Sequence, residues 1–148
     1  MSGTIAQRGR RLVPALWAGL LLTVAAIATP APFATLPAAD AGRVVARILA
    51  QEAWLSLAIG MLVVVMERRH ARHAAQAGEG SQFSTNMILG LGAVACTVAG
   101  YFAVQPMLPS ARAGQGWVGF GALHAASVAF FALKLLLVLM LAWRCAKA

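Results

Sequence analysis

The chain has 148 residues, 61% of them hydrophobic and only 11% charged, with twelve Lys or Arg against four Asp or Glu and a formal net charge of +8. A water-soluble domain carries about 25% charged residues, so this composition excludes a soluble globular protein and leaves no room for a separate soluble catalytic domain. The basic excess would suggest nucleic acid in a soluble protein, but the charges sit at the ends of apolar stretches, where they read as topogenic charge and contacts to anionic lipid headgroups; no nucleic-acid partner is expected.

Four apolar stretches, at about 12–29, 44–66, 85–107 and 118–143, are each near the ~20 residues that a helix needs to cross a ~30 Å hydrocarbon core. Lipid cannot satisfy free backbone amides, so the chain is predicted to be all-α, a polytopic membrane protein built as a four-transmembrane-helix bundle over residues 12–144.

Residues 1–11 form a basic leader with Arg8, Arg10 and Arg11, followed by no charge from Leu12 to Ala39. Pro14 falls in the first turn of the expected helix, where a missing N–H does no harm. Ala26-Ile27-Ala28 offers a cleavage site of the signal-peptide type, but the apolar region exceeds the usual ~7–15 residues, and a retained helix ended by Pro30 and Pro32 is the reading taken.

The second span carries Arg47, Gln51 and Glu52 in its first half. Charges cost about 2.5–3.5 kcal/mol at a membrane centre and much less near its edge, so this helix inserts with a small margin and with help from its neighbours. Arg43, Arg47, Gln51, Trp54 and Ala58 recur at helical spacing and form one stripe, with Glu52 pointing away from it. A polar link at 67–83 follows, containing Glu67, Arg68, Arg69, His70, Arg72 and His73. His70 and His73 have metal-like spacing, but two ligands do not make a structural zinc site, and no metal is expected there. Cys96 with Met87 offers soft ligands, though both are ordinary packing residues.

The third span ends in a turn with Pro106, Pro109, Arg112, Gly114 and Gly116, and the fourth is interrupted only by His124 and Lys134. Cys96 and Cys145 lie at depths about 18 Å apart and are expected to be free thiols; residues 145–148 form a short tail. Counting Lys and Arg in the flanks gives eight on one face (Arg8, Arg10, Arg11, Arg68, Arg69, Arg72, Arg144, Lys147) and three on the other (Arg43, Arg47, Arg112). The positive-inside rule then places both termini and the 67–83 loop in the cytoplasm, in a bacterial inner membrane. No internal repeat is evident.

In the fourth span His124, Ser127, Phe131 and Lys134 follow helical spacing, beside a small-residue row of Gly121, Ala125 and Ala129. The third span has its own row, Gly92, Cys96 and Gly100. Small-xxx-small rows let backbones approach in lipid, so the two spans are expected to pack on these rows and turn His124 and Lys134 inward. Arg47, Gln51 and His124 then fall near the same depth, about 30 Å from the cytoplasmic face. Intramembrane ionisable residues are functional candidates by default, and His124, Ser127, Lys134, Arg47, Gln51 and Glu52 make up the candidate polar site. The competing reading has His124 bonding between helices and Lys134 snorkelling to the cytoplasmic headgroups; a Lys134–Glu52 pair would need the lysine to bridge about 9 Å of depth.

Leu16-Trp17-Ala18-Gly19, Thr29-Pro30-Ala31-Pro32-Phe33-Ala34-Thr35-Leu36-Pro37, Ala41-Gly42-Arg43-Val44, Gln105-Pro106, Ala111-Arg112, Phe120-Gly121-Ala122-Leu123-His124-Ala125-Ala126-Ser127 and Ala142-Trp143-Arg144 together resemble a bacterial family of unknown function related to eukaryotic transmembrane protein 205. Ala46 and Leu49 depart from its pattern, where a glycine and a phenylalanine are expected. The resemblance implies a four-helix integral membrane protein with its first helix retained, and no settled activity.

The expected function is non-enzymatic: binding or moving a small solute or ion, with the alternative of an accessory or scaffold subunit in a larger membrane complex. A homo-oligomer suits the first role, since four helices enclose little volume. A haem- or redox-linked enzyme is a third reading, but a single intramembrane histidine supplies only one axial ligand, and no cofactor is expected.

Overall fold

A computed structural model describes residues 2–81 and 83–147, with side chains from residue 5 onward; Met1, Gln82 and Ala148, within the expected leader, link and tail, lie outside the described residues. The protein is an all-α membrane protein. Four helical segments, Ile5–Thr35, Ala38–Gln76, Thr85–Arg112 and Phe120–Lys147, are long and apolar enough to cross a membrane.

Helix α1 (Ser2–Thr23) starts inside the basic leader, so Pro14 sits in its interior and not in a first turn. The missing N–H at Pro14 leaves the carbonyl of Arg10 without its helical partner. Past Thr23 the helix widens into a π turn, Val24–Ala28, closed by Thr29 N–H to Val24 O at 3.0 Å. Pro30 explains the widening: its ring clashes with a carbonyl four residues back, and the wider turn relieves that clash. Pro30 and Pro32 do not end the segment. They sit at the start of a new short helix, α2 (Ala31–Thr35), where a missing N–H is harmless. The chain breaks only at Leu36, which is extended.

Helix α3 (Ala38–Gln76) has 39 residues and runs on through most of the expected polar link. The stretch Glu67–Gln76 is rich in Ala, Arg, Glu and Gln, all strong helix formers, so leaving the apolar zone gives the helix no reason to stop. It ends where Gly78 takes a φ of 78° and the Glu79 N–H reaches back to Ala74 O at 2.8 Å.

Helix α4 (Thr85–Thr97) begins with Ser84 Oγ accepting from Met87 N–H at 3.2 Å. It widens into a second π turn, Val98–Val104, just before Pro106, and continues through a 3₁₀ turn into α5 (Leu108–Arg112). Of the expected turn at Pro106–Gly116, the part to Arg112 is helical and the chain turns only beyond it, where Gly114 takes a φ of 72°. The last helix, α6, spans Phe120–Lys147.

The helices form a square in which α1 packs on α3 and α6, and α4 packs on α3 and α6. Both described ends of the chain and the α3–α4 connection share one end of the bundle, here the terminal end; the α2–α3 and α5–α6 connections share the far end. Helices α3 and α6 run in the same direction and face each other across the diagonal. The two halves repeat one order: an outgoing helix, a π turn ahead of a proline, a short helix, and a long returning helix. This regularity escaped the sequence because it lies in backbone geometry and not in side-chain identity.

Packing is concentrated in the terminal half. Trp17, Ala18, Leu21, Val63, Leu89, Ala93, Val138, Leu141 and Cys145 form the core cluster. The far half is looser: no described residue of α3 between Ala41 and Glu52 is buried, nor any of α6 between Leu123 and Lys134. Large apolar side chains such as Leu55, Met61, Ile88, Leu133 and Met140 are exposed on the outer faces, as a lipid-facing surface requires.

Candidate functional site: an ion pair across the bundle

The inward stripe of α3 is Glu52, Ser56, Gly60, Val63, Glu67 and Ala71, all buried and spaced by three or four residues. On α6 the matching stripe is Leu123, Lys134, Val138, Leu141 and Cys145. Glu52 on α3 and Lys134 on α6 meet across the diagonal of the square. Lys134 Nζ donates to Glu52 Oε1 at 2.7 Å, with each side chain 4% exposed.

Lys134 thus turns away from the terminal end and does not snorkel towards it. Side chains on a helix lean towards its N-terminus, which for α6 is the far end, and this lean carries the long stem up to Glu52. The ammonium also lies 4.6 Å from the centroid of the Phe131 ring.

The pair belongs to a chain of hydrogen bonds. Trp17 Nε1–H donates to Ser56 Oγ at 2.9 Å, and the Ser56 hydroxyl donates to Glu52 Oε1. Both bonds to Glu52 fall on Oε1, leaving Oε2 outside them. Buried charges in an apolar medium persist only when paired and hydrogen-bonded, and three helices supply the partners. Trp17→Phe removes the indole N–H and part of the bicycle of a fully buried side chain, and should lower stability in detergent by about 2–4 kcal/mol, read as a drop in melting temperature.

The other expected site residues lie elsewhere. His124 is exposed and stacks on Phe120 at 5.8 Å; it does not face the interior. Ten residues separate it from Lys134, which at 100° per residue rotates the two about 80° apart, so the expected common face drifts out of register. Arg47 and Gln51 are exposed on the outer face of α3 and form no cluster with His124. Ser127 is half-buried and accepts a long contact from Gln105 Nε2 at 3.4 Å. Because His124 touches neither the core nor the ion pair, His124→Ala should leave the melting temperature within the error of the measurement, a change below about 0.5 kcal/mol.

The small rows also part company. Gly92 on α4 and Gly100 in the π turn after it do approach α6, against Leu137 and Phe130, and Cys96 is buried between them. Gly121, Ala125 and Ala129 are exposed, and a Cβ on Gly121 would meet nothing within 4 Å. Glycine holes on α4 therefore receive large α6 side chains, and a second small row is not needed.

A second polar cluster closes the terminal end. The Arg10 guanidinium holds Glu67 with two bonds, Nε to Oε1 at 2.8 Å and NH2 to Oε2 at 3.1 Å. Cys145 Sγ lies 4.0 Å from Glu67 Oε1, Asn86 Nδ2 reaches Cys145 Sγ at 3.5 Å, and Arg144 Nε donates to Asn86 Oδ1 at 2.8 Å. All four long helices contribute. Arg8, Arg11, Arg68, Arg69 and Arg72 remain exposed. Cys96 and Cys145 are free thiols, and His70 and His73 are exposed. No group of three or more metal-ligating side chains occurs among the described residues. Sequence reasoning missed Glu67 and Ser56 because it followed the strongly polar Arg47 stripe; the sparser row of small and polar residues every three or four positions was the available signal.

A square of four spanning helices, held by a buried Glu–Lys pair across its diagonal and an Arg–Glu clamp at one end, defines a small multi-pass membrane protein with a polar centre. The chain belongs to the domain-of-unknown-function family DUF4149, which it matches over residues 12–117. That stretch includes Trp17, Glu52 and Ser56, while Lys134 lies beyond it. No curated protein and no solved structure matches the chain.

Proposed function

We propose that this is a non-enzymatic inner-membrane protein, of the type related to transmembrane protein 205, that binds or moves a small ion at the Glu52–Lys134 pair. The observation that carries the reading is the pair itself. A full positive and a full negative charge near mid-membrane are costly to insert, and residues of that kind within spans mark ion and proton pathways. Both ends of the chain lie in the cytoplasm, following the eight-to-three asymmetry of basic residues, and the exposed arginines at the terminal end contact anionic headgroups.

The test is reconstitution into vesicles, measuring uptake of H⁺, Na⁺ and K⁺ under an imposed potential. Wild-type protein should exceed empty vesicles for at least one of these ions, and Glu52→Gln/Lys134→Met should fall to the empty-vesicle rate. Flux of none of the three, or equal flux in the double variant, overturns the reading.

A second reading is favoured by one observation: Arg47, Gln51 and Trp54 form an exposed polar and aromatic stripe on α3. An accessory subunit would dock a neighbouring helix there. In that case purification in mild detergent should recover a partner, released by Gln51→Leu.

A further inference from the structure

We infer that the ion exchanged at the Glu52–Lys134 pair is the proton, and that it arrives from the far end of the bundle only. The inference rests on the ion-handling reading above and assigns it a substrate and a direction. A metal cation would need the position already filled by the Lys134 ammonium, 2.7 Å from Glu52 Oε1. The nearest other side-chain oxygen, Ser56 Oγ, is already bonded to Trp17 and Glu52, and no group of three or more metal-ligating side chains occurs among the described residues. A proton needs only one acceptor. Glu52 Oε2 lies outside the bonds from Lys134 and Ser56; a hydronium ion donating there breaks one of its own O–H bonds, forms one on Oε2 and leaves as water. The carboxylate becomes a neutral carboxyl, Lys134 keeps its protons, and the net charge of the pair goes from zero to +1; release reverses the step. Cys96 on α4 is a further titratable side chain buried near this depth.

Direction follows from packing. Below the pair, Val63, Leu89, Ala93, Val138 and Leu141 are all at most 8% exposed, and the Arg10–Glu67 clamp closes the end. In this conformation the layer is closed to water, so a proton bound from the far end passes on to the terminal side only when these side chains part. Above the pair, α3 and α6 lack any buried residue for about ten positions each, and α1 and α4 both carry π turns there. The Gln105–Ser127 contact lies on this side, as does a half-open cavity of about 210 Å³ lined by Pro106, Met107, Ser110, Trp117, Val118 and Leu123.

The experiment combines side-specific labelling with flux. Ser56→Cys and Ser127→Cys are each placed in a chain carrying Cys96→Ala and Cys145→Ala, and a membrane-impermeant methanethiosulfonate is added to vesicles of either orientation. Ser127→Cys lies on the half-buried surface of α6 and reports even if Ser56→Cys disturbs the core. Both thiols should react from the far face at least roughly tenfold faster than from the terminal face, a difference of about 1.4 kcal/mol in access. Faster reaction from the terminal face, equal reaction from both, or none from either overturns the inference. Uptake of Na⁺ or K⁺ without H⁺ overturns the proton assignment while leaving the ion-handling reading in place.

Discussion

Lys134→Ala should destabilise the protein by about 3–5 kcal/mol, the cost of leaving one member of a buried pair without its partner. Glu52 would keep its bond from Ser56 and lose the ammonium in a site 4% exposed. Replacing both members should behave differently. In Glu52→Gln/Lys134→Met the charges disappear together, the amide still accepts from Ser56, and the thioether fills the space of the lysine stem. Isosteric neutral replacement of a buried pair is often neutral or stabilising, so the double variant should recover most of the loss. The measurement is a double-mutant cycle of Glu52→Gln, Lys134→Met and their combination on unfolding in detergent. A double variant as unstable as the sum of the singles would show that each group is held by something other than the other.

Gly60→Ala carries the second large effect, from overpacking. A Cβ at residue 60 would lie 2.5 Å from Val94 Cγ2 and 3.1 Å from Trp17 Cη2. Trp17 does not retreat easily, since it is fully buried and tethered to Ser56. The expected loss is about 1–3 kcal/mol, the usual cost of an extra methylene in a packed core. Val94→Ala opens the nearer contact and should restore part of the loss. Gly121→Ala, a change of the same size with nothing within 4 Å, is the control and should be silent. If Gly60→Ala is silent too, α1, α3 and α4 do not converge as described.

The depth estimates show where sequence arithmetic stopped. Counting residues along straight helices put Glu52 and Lys134 about 9 Å apart in depth, and the pair forms nevertheless. The count omitted the reach of the long lysine stem, whose ammonium lies one turn towards the far end, 4.6 Å from the Phe131 ring centroid. The Arg47 stripe failed for another reason. Periodicity finds a face, but in a membrane the face rich in charge and the face turned inward need not coincide, because an arginine near the bilayer edge can reach the headgroups from a lipid-facing position. Only contact with other helices decides, and here Gly60 against Trp17 and Val94 fixes the rotation of α3.

Four spanning helices were determined by the sequence alone, because a run of about 20 apolar residues has no stable alternative to a helix in lipid. The asymmetry of its arginines was legible for the same kind of reason, since each charge at a span end has a strong preference of its own. Tertiary structure decided which polar side chains turn inward, that Arg10 clamps Glu67, and that Lys134 meets Glu52. These pairings join residues 57 and 82 positions apart, and their energies exist only once separate helices are brought to the same depth and rotation.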